Sequence, residues 1–352
     1  MDKASLLSFL LISIINSFFF NLILRTFARK NRLLIDIPNK SRKFHKRPTP
    51  MTGGISILIN IIFTTWLYVN LHNLMGYIPV FSISVIFGSV FIVSLFLAND
   101  IKNIKPVIRL VIQIIATYIV IYQSDIYISN LGNLFGTGEV ILGEVYGKIF
   151  TIFCVVGVMN AFNMIDGIDG LCSGISIIIF CMMGLFFNAF SDSLLIIVVG
   201  SVIGFMLFNL GIIGKKRYVF LGDHGSNLMG FLVAWLCIYF SQQSIFNFQP
   251  ITAVWLVFIP VVDCLKVIFG RLKNKKNLSS SDRDHIHFVL SSRNFSTKKT
   301  LVLILFITFS FSSFGILLQG ISELISLIIF IIFSIIYYLF TNSLNSNNVK
   351  NI

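Results

Sequence analysis

Residues Asn160–Gly170 read NAFNMIDGIDG, a polar stretch between two apolar runs. Asp166 and Asp169 are three residues apart, so on a helix or a single turn both carboxylates project from one side. Gly167 and Gly170 follow the aspartates, and residues without side chains let a phosphate approach the backbone and let a helix end. The stretch predicts carboxylates that bind a metal, bind sugar hydroxyls or act as a base. A polar cap on a membrane helix is the alternative.

The composition is that of an integral membrane protein. Of 352 residues, 56% are hydrophobic and 12% are charged, and the mean hydropathy is +0.90. A soluble chain of this length would carry more charge, so one polytopic membrane domain is expected. The five cysteines form no CxxC pair and lie in or beside apolar segments, which indicates neither a disulfide framework nor a zinc site.

Apolar runs long enough to cross a membrane follow one another along most of the chain. The first lacks a small-residue cleavage site and has its arginines behind it, so a retained helix is expected instead of a secretory signal. We predict an all-α polytopic integral membrane protein of about eleven transmembrane helices, with a single domain at 1–341 and a disordered cytoplasmic tail at 342–352. The predicted spans are 5–24, 51–71, 78–98, 106–122, 149–165, 171–190, 194–213, 226–245, 251–269, 300–319 and 321–340.

Lysines and arginines are distributed unevenly between the predicted loops. If the N-terminus lies outside, only Lys3 and Lys148 fall on the outer side, which is the distribution that the positive-inside rule favours. The C-terminus is then cytoplasmic. The same orientation places the unusual polar motifs on the cytoplasmic side, namely HKRPTPMTGG at 45–54, Asn99-Asp100, DGIDG, FLGDHGS at 220–226 and the loop 270–299 with DRDHIHF.

Four aspartates fall at cytoplasmic helix ends or in adjoining loops: Asp100, Asp166, Asp169 and Asp223. Such oxygen ligands suit magnesium or manganese, which commonly bind one or two carboxylates together with substrate phosphates. Asp223 also lies at a helix start, where backbone N–H groups favour anions. A plain helix N-cap is the alternative for that residue.

Two basic segments hold candidate phosphate contacts. His285 and His287 lie in a loop with Arg283, and zinc is not expected there because no cysteine or third histidine joins the pair. His45 and Lys46 precede a rigid turn of prolines and glycines that leads into the second helix. Simple juxtamembrane charge or a solvated loop is the alternative for each of these residues.

A metal-held phosphate at a membrane surface predicts transfer of a phosphoryl-linked group to a lipid. A transporter is the first alternative, but its carboxylates should lie at mid-span with a matching outer cluster. A glycosyltransferase acting outside the membrane is the second, but Asp125, Glu139 and Glu144 of the outer loop form no comparable motif. The positions of the carboxylates therefore favour transfer to a lipid over both alternatives.

Four segments, RKFHKRPTPMTGGIS, NAFNMIDGIDGL, FLGDHGS and DRDHIHF, closely resemble the polyprenyl-phosphate N-acetylhexosamine-1-phosphate transferase family. The motifs come in the family's order, and the eleven-helix layout agrees. The resemblance implies that a UDP-N-acetylhexosamine and undecaprenyl phosphate give undecaprenyl-diphospho-N-acetylhexosamine and UMP, with magnesium or, alternatively, manganese. It places the enzyme in the bacterial cytoplasmic membrane, facing the cytoplasm, at the start of a cell-surface polysaccharide such as O-antigen, common antigen, capsule or teichoic acid.

The resemblance also implies roles for individual residues. The metal would be held by Asp100 and Asp223 with Asn99 beside them, and the catalytic residues would be Asp100, Asp166 and Asp169. The HIH sequence favours UDP-GlcNAc as the donor. The implied substrate contacts are Asn160, Asn163, Asn209, His285, His287, Arg283, His45 and Lys46.

Two departures from the family pattern bear on activity. Asn99-Asp100 replaces the usual pair of aspartates, and an asparagine can coordinate a metal through its side-chain carbonyl but brings no charge and cannot act as a base. HIHF, with Phe288, replaces the commoner HIHH. The departures leave open another donor, such as UDP-FucNAc, UDP-QuiNAc or UDP-GalNAc, or a catalytically weakened relative. Membrane lipid is the remaining expected partner, nucleic acid is not, and a homodimer is left open.

Overall fold

The computed structural model describes residues 3–38, 47–71, 79–102, 104–275, 284–293 and 295–349, and most of this part is helical. One short antiparallel ladder joins β1 (Ile35–Asp36) to β2 (Thr49–Pro50). The helices are α1 Lys3–Asn31, α2 Gly53–Leu71, α3 Val80–Lys102, α4 Pro106–Ser124, α5 Glu144–Ile165, α6 Leu171–Phe186, α7 Ser193–Asn209, α8 Asp223–Gln242, α9 Pro250–Leu256, α10 Phe258–Lys273, α11 Ile286–Ser292, α12 Thr297–Leu317 and α13 Glu323–Val349.

Within the described residues, seven helices are long and apolar enough to cross a membrane, or eight if the bent pair α9 and α10 is one span. Helices α6 and α7 are apolar but shorter. The all-helical polytopic class is therefore confirmed. Each of the eleven predicted runs coincides with helix, but the run 251–269 is broken in two and α11 was not predicted. The number of spans and their orientation stay predictions.

The helices group into two compact units, each built from two chain segments. The first unit comprises Met1–Asp125 and Asn188–Leu232, and the second comprises Ile126–Phe187 and Val233–Ile352. Helix α13 continues past the predicted domain boundary at 341 and ends at Val349. The single domain at 1–341 and the disordered tail at 342–352 stay predictions.

Small residues bring α1 and α7 together in the first unit. Ser13 Oγ donates to the Ile197 carbonyl at 2.8 Å, and Ser17 Oγ donates to the Ser201 carbonyl at 2.7 Å. A Cβ atom on Gly204 would lie 2.5 Å from Ser17 Cβ, so only glycine permits this approach. Close packing and hydrogen bonds of this kind associate helices where hydrophobic burial offers no net gain.

A break between α9 and α10 shapes the second unit. The two helices meet at an angle of 74°, and Pro260 explains the break because it has no N–H to donate to the Leu256 carbonyl. Around the break, Trp255 Nε1 donates to Ser326 Oγ at 3.0 Å, and the Phe258 ring stacks on Phe311. All five cysteines of the chain lie in this unit and are free thiols.

Candidate active site

Two of the sequence motifs are joined by backbone hydrogen bonds in the first unit. The N–H of Gly54 donates to the Leu221 carbonyl at 3.2 Å, and the N–H of Phe220 donates to the Pro50 carbonyl at 2.8 Å. A Cβ atom on Gly54 would lie 2.5 Å from Gly225 Cα, so this contact requires glycine. The predicted turn into α2 is therefore hydrogen-bonded to the segment that precedes Asp223.

Asp223 begins α8 with its side chain nearly half exposed. Asn99 Nδ2 donates to Asp223 Oδ2 at 3.1 Å, and Arg109 Nη1 lies 3.6 Å from the same oxygen. The side-chain oxygen of Asn99, Oδ1, accepts a hydrogen bond from the N–H of Ile104 at 3.0 Å. Asn99 therefore contacts Asp223 as a hydrogen-bond donor, and its place beside a metal stays a prediction. Arg109 was not predicted at the site.

Asp100 is paired with a histidine that the sequence argument did not single out. His224 Nδ1 lies 2.5 Å from Asp100 Oδ2, and the His224 side chain is completely buried. The ring has room because Gly54 and Gly222 have no side chains. His224 Nε2 has no hydrogen-bond partner among the described residues. The signal in the sequence was a histidine directly after the predicted ligand Asp223.

The carboxylates of Asp100 and Asp223 are the groups of this cluster that suit a divalent cation. In the described part of the chain, no three His, Cys, Asp or Glu side chains are arranged to hold a metal ion. Magnesium commonly takes only one or two carboxylates and fills its octahedral shell with water and substrate phosphates. The two carboxylates therefore fit a magnesium ion whose remaining ligands come from water and a substrate diphosphate. They do not form a site in which the protein supplies every ligand.

The DGIDG segment forms the connection between α5 and α6 in the second unit. Gly170 has a φ of +82°, which glycine adopts without strain. Asp166 is half-buried at the end of α5, and Asp169 is exposed in the turn. The two aspartates thus lie on a turn, which was one of the two arrangements expected from their spacing.

The three predicted asparagine contacts have different surroundings. Asn160 and Asn163 are half-buried on the last turns of α5, and Asn160 Nδ2 donates to the Val156 carbonyl at 2.8 Å. Asn209 belongs to the first unit, is only 4% exposed and donates to the Val219 carbonyl at 3.0 Å. Its burial indicates a structural contact, and the substrate roles of all three stay predictions. The remaining predicted contacts Arg283, His45 and Lys46 lie outside the described residues.

His287 packs against the DGIDG turn. A Cβ atom on Gly167 would lie 1.9 Å from His287 Nε2, so the missing side chain makes room for the histidine, where the sequence suggested room for a phosphate. His287 is 1% exposed, and neither ring nitrogen has a hydrogen-bond partner among the described residues. Burial and, next, the neighbouring His285 lower the pKa of His287 to about 4. The ring is therefore neutral at pH 7 and offers one donor and one acceptor.

His285 is held by a residue that the sequence argument missed. Its Nδ1 lies 2.8 Å from Oδ2 of Asp263, which is buried on α10. The signal was available, because Asp263 is a lone carboxylate inside the predicted span 251–269, and ionisable residues in spans usually have a function. Phe288, the departure from HIHH, packs its ring against His287 with the centroids 4.2 Å apart.

Comparison with known proteins agrees with these motifs. The family model described as Glycosyl transferase family 4 matches residues 82–241. The chain is 33% identical to the undecaprenyl-phosphate alpha-N-acetylglucosaminyl 1-phosphate transferase of Escherichia coli O157:H7, over 87% of this chain and 83% of that protein. It is 29% identical to the protein of the same name from Haemophilus influenzae, over 81% of this chain and 79% of that protein. The chain therefore belongs to glycosyl transferase family 4 and is an enzyme, a membrane phosphotransferase.

Proposed function

We propose that this protein transfers N-acetylhexosamine-1-phosphate, with GlcNAc-1-phosphate as the first choice, from the UDP-sugar to undecaprenyl phosphate and releases UMP. The names of the relatives, which match over more than four fifths of this chain, support the acceptor and the sugar. The observation that carries the proposal is the cluster of Asp100, Asp223 and Arg109, where carboxylates for a cation lie beside a cationic group for phosphate oxygens.

In the proposed reaction, an oxygen of the lipid phosphate attacks the phosphorus that carries the sugar. A new P–O bond forms to the lipid phosphate, the bond from that phosphorus to the oxygen shared with UMP breaks, and UMP leaves with that oxygen. Direct in-line attack requires no covalent enzyme intermediate. Trapping a labelled phosphosugar on the protein in the absence of lipid acceptor would contradict direct attack.

Magnesium, when bound by Asp100 and Asp223, would supply positive charge to the diphosphate oxygens. Asn99 would keep Asp223 in orientation through the 3.1 Å hydrogen bond, and Arg109 would add a fixed positive charge. In the second unit, Asp166 and Asp169 are proposed to bind the nucleotide sugar. The neutral ring of His287 is proposed to donate or accept a hydrogen bond with the substrate, because both nitrogens are otherwise without a partner in the described residues.

The proposal also concerns the identity of the donor sugar. UDP-GlcNAc is favoured by the relatives' names and by the HIH sequence. UDP-FucNAc, UDP-QuiNAc and UDP-GalNAc are the alternatives, because Phe288 and Asn99 depart from the family pattern. We propose that the enzyme is a multi-pass protein of the bacterial inner membrane with its site facing the cytoplasm, and that its product starts a cell-surface polysaccharide.

The test is UMP release by membranes that contain this protein, supplied with UDP-GlcNAc, undecaprenyl phosphate and magnesium. We expect release that requires both lipid and magnesium and that Asp223→Asn nearly abolishes. Asp125→Asn is the matched control: it makes the same chemical change at an exposed residue whose left-handed backbone asparagine tolerates. This control should keep full activity.

The possible outcomes test the donor sugar, the metal site and the reaction separately. Release from another UDP-N-acetylhexosamine but not from UDP-GlcNAc would change only the donor. Full activity of Asp223→Asn at ordinary magnesium would remove Asp223 from the metal site. Absence of release with every donor would contradict the proposed reaction.

A further inference from the structure

Asp263 is a buried carboxylate of the second unit, and both of its oxygens are hydrogen-bonded. It lies on α10 just after the helix break and is 1% exposed. Its Oδ2 faces His285 Nδ1 at 2.8 Å, while its Oδ1 accepts the Ile286 N–H at 3.1 Å and the Tyr337 hydroxyl at 2.9 Å. The carboxylate thus contacts one group from α13 and two groups from residues 284–288, which we call the histidine segment.

These bonds determine which nitrogen of His285 carries the proton. A backbone N–H can only donate, so Ile286 requires an acceptor at Oδ1, and an ionised carboxylate is an acceptor at both oxygens. His285 must then donate to Oδ2 from a protonated Nδ1. The other ring nitrogen, Nε2, remains the one that can meet a substrate, as either a donor or an acceptor according to the charge of the ring.

We propose that Asp263 is the positioning residue that fixes His285 with its proton on Nδ1 and, in the neutral ring, keeps Nε2 as an acceptor for a hydrogen-bond donor of the substrate, such as a sugar hydroxyl group. The inference deepens the proposed transferase function and rests on it for the identity of the substrate. Asp263 itself has no contact with substrate in this assignment and acts only through His285.

The backbone of the histidine segment is held from the same face of α10. Lys266, one helical turn after Asp263, donates from its ammonium group to the Asp284 carbonyl. Asp263 holds the N–H of Ile286, so α10 fixes the chain on both sides of His285. The second half of the broken helix therefore sets both the position and the tautomer of the histidine.

Asp263→Asn changes this arrangement without changing the size of the side chain. The asparagine carbonyl must face the Ile286 N–H, because its amide nitrogen would otherwise meet a second donor. The amide nitrogen then faces His285 Nδ1, which can pair with it only as an acceptor. The proton of the neutral ring moves to Nε2, and the nitrogen reserved for substrate loses its acceptor form.

The experiment is nitrogen NMR of the full-length protein in detergent, labelled at its histidines, at a pH where the ring of His285 is neutral. The His285 signals are assigned by their loss in His285→Gln. We expect protonated Nδ1 and unprotonated Nε2 in the wild type, and the reverse in Asp263→Asn. Tyr337→Phe, which removes one bond from Oδ1 but leaves the bond to His285, is the control and should keep the wild-type tautomer.

Kinetics supply the second readout. We expect Asp263→Asn to lower kcat/KM by about 10²-fold, because losses of this order or larger follow when a histidine at an active site is held in the wrong tautomer. In a His285→Ala background the same change should have no further effect, because Asp263 acts only through the ring. Multiplicative losses in the double variant would indicate a merely structural role and overturn the proposal.

The two proposals fail in different ways. Protonated Nε2 in neutral wild-type His285 would overturn the role of Asp263, and this measurement needs no substrate. Lack of UMP release by the wild type would contradict the transferase function while the tautomer stays as assigned.

Discussion

The ring of His287 occupies the space that a side chain at Gly167 would fill, with Nε2 only 1.9 Å from the position of the missing Cβ atom. The two residues belong to different motifs, DGIDG and DRDHIHF, which are more than a hundred residues apart in the sequence. Their contact ties the aspartate turn to the histidine helix α11 within the second unit. The glycine is therefore required by a neighbour and not only by the turn itself.

Gly167→Ala should lower kcat/KM for UMP release by at least about 10-fold, because the added methyl group would overlap the His287 ring and force it to shift. The backbone at this position lies outside the left-handed region, so the expected effect is steric. Gly157→Ala on the preceding helix α5 is the control, since nothing lies within 4 Å of its Cβ position. The same substitution in a His287→Ala background should cost much less. A wild-type rate for Gly167→Ala would contradict the contact.

Asn99→Asp should lower the magnesium concentration required for half-maximal UMP release by about 10-fold, since it adds a carboxylate beside Asp223. The 3.1 Å hydrogen bond to Asp223 would become a repulsion that a cation relieves. Asn99→Ala removes the hydrogen bond without adding charge and should lower activity at every magnesium concentration. Manganese binding, followed by its electron paramagnetic resonance in the absence of substrate, gives a second measurement. Unchanged manganese affinity in Asn99→Asp would place residue 99 away from the metal.

His287 should make the protein less stable in mild acid. Its pKa is lowered to about 4 in the folded protein, against about 6.5 in the unfolded chain, so the unfolded chain binds the proton first as the pH falls. The stability that depends on the neutral ring is therefore complete above about pH 6.5 and is lost progressively down to pH 4, by a few kcal/mol in all.

This loss can be measured as the fall in melting temperature between pH 7.5 and pH 5 in detergent. His287→Gln removes the titrating group and keeps a side chain of similar polarity, so the variant should show a smaller fall than the wild type. An equal fall in both proteins would mean that the ring of His287 is not kept neutral by the fold.

The residue types of the site could be read from the sequence because polar groups are conspicuous in an apolar chain. Asp100, Asp223 and the DGIDG aspartates all lie at helix ends or turns in the structure, as their position beside apolar runs predicted. Asp263 was missed because it lies within a run, where hydropathy averages over a single carboxylate. His224 was missed because its partner, Asp100, is 124 residues away.

The sequence by itself determined that this protein is a helical membrane enzyme with carboxylates and histidines at helix ends, because the cost of placing polar groups in lipid confines them to such positions. Only the tertiary structure decided which of these groups meet. Asn99 donates a hydrogen bond to Asp223, and Asp263 pairs with His285. The absence of a side chain at Gly167 leaves space for the ring of His287. Hydrogen bonds and close contacts depend on distances of a few tenths of an ångström, and those distances are set by how the helices pack and break.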